Sequence, residues 1–171
     1  MANVWFTSDL HFGHKNIQKF RLEVESEEHN RARIKADWNT KVTKRDDVYV
    51  LGDAAFTMDT ISDFNELAGR KFLVRGNHDE LDTQVYLKYF AAVYGLKKYK
   101  EFWLSHAPIH TNELRGKINL HGHVHYHSVD DPRYVNMSVE NLWKMGYSSL
   151  ISLDEVRKLL KENTSVYHQE K

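Results

Sequence analysis

Five short apolar runs each end abruptly in polar turn residues: Val4–Thr7 before Ser8 and Asp9, Val48–Leu51 before Gly52 and Asp53, Phe72–Val74 before Arg75, Gly76 and Asn77, Phe102–Leu104 before Ser105 and His106, and Ile118–Leu120 before Gly122 and His123. Their brevity and near-continuous apolar character predict strands buried on both faces. Helical spacing fills the intervals. Glu27–Val42 sets Ile34, Trp38 and Val42 four apart, and Asp59–Leu67 sets Ile61, Phe64 and Leu67 three apart. Asp82 and Thr83 can cap a further helix, with Val85, Tyr86, Tyr89, Phe90 and Val93 on one face and Gly95 as its stop. Strand alternating with helix predicts an α/β fold whose polar loops gather at the carboxyl ends of the strands.

Those strand ends carry the candidate chemistry. Asp9 and His11 are two apart, so an extended segment presents both to one side with Leu10 on the other; His123 and His125 repeat this around Val124. Glycine stands directly before Asp53, Asn77 and His123, where it permits a sharp turn of the chain toward a shared site. Any one of these turns is ordinary, and the ordered set of five is not.

Composition narrows the chemistry. The 171 residues contain no cysteine, which removes disulfides, thiolate nucleophiles and Cys-ligated zinc, so a metal must be held by His, Asp, Glu or Asn. Eleven histidines are present, six of them between His106 and His127. Lys plus Arg equals Asp plus Glu at 24 each, which disfavours extended nucleic acid and favours a small substrate. Neither a signal peptide nor a membrane-length apolar run is visible, so a cytoplasmic protein without membrane attachment is expected. The length fits one domain over residues 1–171, with disorder only at the last few residues. The run Lys97–Lys100 reads as an exposed strand entry.

Asp9-Leu10-His11, Gly52-Asp53, Gly76-Asn77-His78-Asp79, His106 and Gly122-His123-Val124-His125 follow in order the motifs D-x-H, G-D, G-N-H-[DE], H and G-H-x-H. In this the chain resembles the calcineurin-like metallophosphoesterases, and Ser8–Asn16 resembles a subgroup of small bacterial and phage phosphoesterases. The resemblance implies two facing mixed β-sheets flanked by helices, an α/β/β/α sandwich with Val135–Val139 as a late core strand. It implies two divalent ions, with Asp9, His11 and His125 on one, Asn77, His106 and His123 on the other, and Asp53 bridging both. Mixed His, Asp and Asn ligation suits Mn²⁺, Fe or Zn²⁺ better than Mg²⁺.

The implied activity is hydrolysis of a phosphomonoester or phosphodiester, nucleotide-type or another small molecule, by a hydroxide shared between the ions. His78 is implied as proton donor or charge stabiliser beside the phosphate, with Asp79 as a candidate to orient it. His14 and Arg75 are candidate substrate contacts, while His110, His121 and His127 read more readily as supporting or solvated residues. Protein Ser/Thr phosphatases of the superfamily read G-D-x-x-D-R-G at the second motif, where this chain has Gly52-Asp53-Ala54-Ala55-Phe56-Thr57, so His78 lacks that carboxylate partner. Short spacers leave no room for a cap domain. A non-catalytic protein-binding scaffold on the same fold is the rival, and loss of ligands or of the motif His would favour it.

Overall fold

The protein is described from a computed structural model covering residues 2–169, with side chains described through Glu162. Among the described residues, nine strands form two sheets. The first has the order β4-β3-β2-β1-β9, built from Val4–Thr7 (β1), Asp47–Val50 (β2), Arg70–Val74 (β3), Ala92–Tyr94 (β4) and Ile151–Ser152 (β9). The second has the order β5-β6-β7-β8, built from Lys97–Tyr99 (β5), Phe102–Leu104 (β6), Ile118–His121 (β7) and Tyr134–Asn136 (β8). β1 to β4 are mutually parallel, as are β6 to β8, and β9 and β5 run antiparallel to their neighbours. Two mixed sheets with helices outside them form the expected α/β sandwich.

The five apolar runs are strands because each buries both faces. On one face of the first sheet, Trp5, Val48, Val50 and Leu73 pack with Ile34 and Trp38 of helix α1 (Glu27–Lys41) and with Ile61 and Phe64. On the other face, Phe6, Tyr49, Leu51 and Val74 meet Phe102, Leu104, Leu120 and Val135 of the second sheet. Helix α1 starts where the Ser26 side chain accepts from the backbone N–H of His29, a cap typical of Ser. α2 (Met58–Ile61) is capped reciprocally by Thr57 and Thr60 and tightens into a 3-10 turn over Ser62–Glu66.

The structure corrects two element boundaries. The helix over residues 83–95 shrinks to α3 (Thr83–Tyr86): Asp82 caps it, but Phe90 ends its apolar face and Val93 lies in β4. The Ala91 N–H donates to the Lys71 carbonyl, so the open edge of β3 captures the chain; a short apolar run satisfies either periodicity and the sheet edge decides it. The strand over Val135–Val139 stops at Asn136, whose side chain accepts from the N–H of Ser138, turning the chain into α4 (Val139–Lys144). β9 and α5 (Leu153–Gln169) were not marked by the five-run pattern. Glu170 and Lys171, within the tail where sequence predicts disorder, lie outside the described residues. No helix among the described residues is long and apolar enough to cross a membrane.

Because β1 to β4 add in order to one side of the sheet, the carboxyl ends of β1, β2 and β3 share one edge, and those of β6 and β7 share the corresponding edge of the second sheet. The two edges are tied together by the bridge between Ser8 and Ser138 and by the Val139 N–H donating to the Ser8 carbonyl at 3.1 Å.

Candidate metal centre

Beyond the strand ends, the first two loops continue to pair. The N–H groups of Asp9, His11 and Phe12 donate to the carbonyls of Gly52, Asp53 and Ala54 at 3.0, 2.9 and 3.1 Å. Asp9, His11, Asp53, His123 and His125 have φ of 58, 53, 53, 70 and 51°. This left-handed region costs a non-glycine residue roughly 1–2 kcal/mol. Among the described residues only Lys100 and Arg115 share it, both in turns, so five of the seven such residues are candidate ligands. Backbone strain persists where surrounding contacts impose it, and it clusters at functional sites.

The glycines prove to be spacers more than swivels. Gly52 does adopt φ +95°, but Gly76 and Gly122 are not left-handed; a Cβ on Gly76 would strike Asp53, and one on Gly122 would strike Ser8 and the Asp9 carboxylate. Their hydrogen lets neighbouring loops close on one another.

The loops bring all seven candidate ligands together. Asp9, His11 and His125 form one group of ligand atoms, with His11 Nε2 at 3.7 Å and His125 Nε2 at 3.8 Å from Asp9 Oδ1. On the other side Asn77 Oδ1 lies 2.9 Å from His106 Nε2 and 3.0 Å from His123 Nδ1, and the two ring nitrogens are 3.2 Å apart. Asp53 sits between, its Oδ2 at 3.6 Å from His11 Nε2 and 3.4 Å from His106 Nε2. Asp9, His11, Asp53 and His106 are buried, whereas Asn77, His78 and His123 are open to solvent.

The donor set fits a pair of cations. Both ring nitrogens of His11 are buried without a hydrogen-bond partner, an expensive condition unless an ion occupies one of them. The ring proton positions also suit ligation: His106 Nδ1 faces the Leu51 carbonyl at 2.8 Å and His125 Nδ1 faces Glu140 Oε1 at 2.8 Å. A carbonyl or ionised carboxylate only accepts, so each Nδ1 carries the proton and each Nε2 turns a lone pair inward.

Electrostatics agree. Burial alone would raise the acidities' reference points of Asp9 and Asp53, yet the surrounding imidazoles hold both carboxyls below the usual range: His11, His106 and His125 act on Asp9, His106 and His11 on Asp53. Burial works against a charged His106, but its hydrogen bond to Asp53 and the field of Asp9 and Asp53 push it up to about 9. The Glu140 hydrogen bond raises His125 against its own burial. A concentration of negative potential that holds protons on imidazoles would equally attract divalent cations, which compete for the same nitrogens.

Several supporting residues escaped the sequence reading. Ser138 Oγ donates to Asp9 Oδ2 at 2.9 Å, and the His123 N–H donates to the same oxygen at 3.0 Å. Arg21, fully buried, donates to the Asp9 carbonyl at 2.7 Å, to Asn30 Oδ1 at 2.6 Å and to Glu140 Oε1 at 2.8 Å, joining the first ligand loop to the residue that orients His125. Nothing local marks Arg21 or Glu140, which are 119 positions apart. Asp79 was within the recognised motif, but it does not aim at His78: its carboxylate accepts from the N–H groups of Asp53, Ala54 and Gly76 at 2.8, 2.9 and 2.8 Å, locking the second and third loops.

His78 is placed by other means. Its N–H donates to Asp53 Oδ1 at 2.9 Å, and its ring stacks on Phe56 at 5.2 Å between centroids, with 29° between planes. Phe56 also contacts His11 and His14 at 5.4 and 5.2 Å. A phenyl ring thus stands beside His78 at the position where the phosphatase motif has its second Asp. His14 lies on the wall of the cleft, its acidity increased by burial and by the field of His11. The structure does not bring Arg75 to the cluster: its guanidinium donates to the carbonyls of Asp79 and Leu81 and to Thr83 Oγ1 at 2.7, 2.8 and 3.1 Å, clamping the loop behind His78. His110 caps the turn over Thr111–Glu113, His121 is buried with Nδ1 at 2.9 Å from the Gly122 carbonyl, and His127 lines the cleft.

Mycobacterium phage L5 has a Gene 66 protein 31% identical to this chain, covering 94% of this chain and 95% of that protein. An uncharacterised protein of Methanocaldococcus jannaschii is 32% identical, covering 97% and 96%. The crystal structure of a protein of unknown function from Aquifex aeolicus superposes with a TM-score of 0.74 at 26% identity, covering 93% of this chain and all of that one. The family model described as calcineurin-like phosphoesterase matches residues 2–167, and the chain belongs to that family.

Proposed function

We propose that this protein hydrolyses a phosphomonoester or phosphodiester of a small molecule, nucleotide-type substrates included, at a dinuclear metal centre. Asp9, His11 and His125 hold one divalent cation, Asn77, His106 and His123 the other, and Asp53 lies between them. The observation that carries the reading is the left-handed backbone at five of these seven positions, strain that a simple set of turns has no need to concentrate there. Mn²⁺, Fe or Zn²⁺ matches the donors. When bound, the cations supply a water of lowered pKa and neutralise charge on the phosphoryl oxygens.

The chain's own groups do the rest. Glu140 and the Leu51 carbonyl keep protons on Nδ1 of His125 and His106, so that Nε2 of each stays available as a donor atom. His78, exposed at the cleft and held flat against Phe56, delivers a proton from its ring to the departing oxygen. His14 contributes a neutral ring to the substrate side of the cleft. The rival scaffold reading would be favoured by missing ligands, and every position is filled.

Asp53→Asn is the test. Hydrolysis of bis-para-nitrophenyl phosphate is expected to disappear, with fewer bound metal ions per chain by elemental analysis. Full activity with two ions retained would refute the bridging assignment.

A further inference from the structure

A cavity of about 680 Å³ opens beside the metal cluster, within the range of small-molecule sites and larger than a phosphate group requires. One side is the ligand imidazoles; the other is apolar, formed by Ile17, Phe20, Val124 and Tyr126. Phe20 is 65% exposed and Leu22 is 88% exposed, while Arg21 between them is fully buried. A contiguous exposed apolar patch with a polar rim can mark a ligand-binding groove.

This rim is anchored. Arg21 donates to Asp9, Leu10, Asn30 and Glu140, its own N–H donates to the Ile17 carbonyl at 2.9 Å, and Arg33 donates to the Glu23 carbonyl at 3.2 Å. The Tyr126 hydroxyl donates to the Glu23 carboxylate, fixing Tyr126 to the same loop. With Arg21 turned inward, its neighbours must turn out, so Phe20 is displayed by the clamp that also positions Asp9 and, through Glu140, His125. Phe20 meets the His14 ring at a near-perpendicular angle, 5.6 Å and 88°, and lines the cavity with 65% of its surface exposed.

We propose that this corner is a binding site for a planar ring carried by the phosphoester substrate, an aryl group or a nucleobase, packed on Phe20 while the phosphate lies at the metal cluster. The inference rests on the phosphoesterase reading above and adds its substrate class. Rings fit this wall better than chains do, because Phe20, Tyr126 and His14 offer ring faces and edges, and aromatic pairs gain interaction beyond the area they bury.

The experiment titrates the manganese-loaded full chain with phenylphosphonate, cyclohexylphosphonate and methylphosphonate by calorimetry. Phenylphosphonate is expected to bind about fivefold to tenfold more tightly than methylphosphonate, with cyclohexylphosphonate closer to methyl. Phe20→Ala should erase most of that preference and Phe20→Trp should keep it, both melting at the wild-type temperature. Equal binding of phenyl and methyl compounds, or an undiminished preference in Phe20→Ala, overturns the ring site and leaves the metal centre standing. Equal binding of phenyl and cyclohexyl compounds replaces a planar ring by any apolar group and also overturns it. If manganese binds and no phosphonate does, the phosphoesterase reading falls, and the ring site with it.

Discussion

The two sheets contribute unlike halves to the metal centre. The edge of the five-stranded sheet supplies Asp9, His11, Asp53 and Asn77 from loops locked by main-chain hydrogen bonds and by Asp79, with Asp9, His11 and Asp53 buried. The edge of the four-stranded sheet supplies imidazoles only, His106, His123 and His125, the last two on an exposed or half-exposed loop held by Glu140 and by the Asp9 carboxylate. Negative charge and rigidity thus come mostly from one side, neutral donors and accessibility from the other. In the proposed centre, a floor that fixes the carboxylates would set where cations sit, and an imidazole rim would complete their shells without excess charge.

The largest effect should come from separating the halves where they touch. Gly122→Ala puts a methyl group into Ser8 and the Asp9 carboxylate, with no flexible side-chain end to move away cheaply. Loss of both cations is expected, together with about 1–3 kcal/mol of stability by denaturant titration. Wild-type metal content in this variant would show that the edges are not in the contact described.

A smaller and cleaner effect isolates chemistry from assembly. His78 belongs to the rigid edge yet faces solvent and touches the cluster through Asp53, Phe56 and the ring of His11. His78→Ala should keep both cations while lowering turnover by roughly 10²–10⁴. Phe56→Ala should lower turnover less, and most for substrates with basic leaving groups, which need the proton most. An equal loss across leaving groups would remove Phe56 from the placement of His78.

The smallest effect is in pH. His106 joins the two edges through Asp53. Its folded pKa is about 9 against an ordinary 6.5, so the stability it contributes in chelator-treated protein is fully present below 6.5 and fades as pH climbs through 9. Melting should fall over that interval, and added manganese should flatten the slope because cations compete with the proton. A melting temperature indifferent to pH in the stripped protein would count against the Asp53–His106 coupling.

Sequence revealed the candidate ligands of this centre better than their supports. The runs ending at Asp9, Asp53, Asn77, His106 and His123 were legible because buried parallel strands need continuous apolar character and their ends need turn residues. β4 fits a helical period as well as a strand, and pairing with β3 settles it; the late core strand that the resemblance implies is ended early by the Asn136 side chain. Arg21 and Glu140 left no pattern, since a buried ion pair between distant loops depends on the fold being complete. Phe56 stood in plain view as a departure from a motif, but only contact with three imidazoles gives that departure a physical role.

Between β4 in the first sheet and β5 in the second lie only Gly95 and Leu96, and each cation's proposed donors come from both sides of that link: Asp9 and His11 with His125, Asn77 with His106 and His123. A ribosome must therefore deliver the chain past His123 before either proposed ion has its full shell, and past His125 before both do. Fragments severed at Gly95 would each be inert, and activity regained on mixing them would report their reunion.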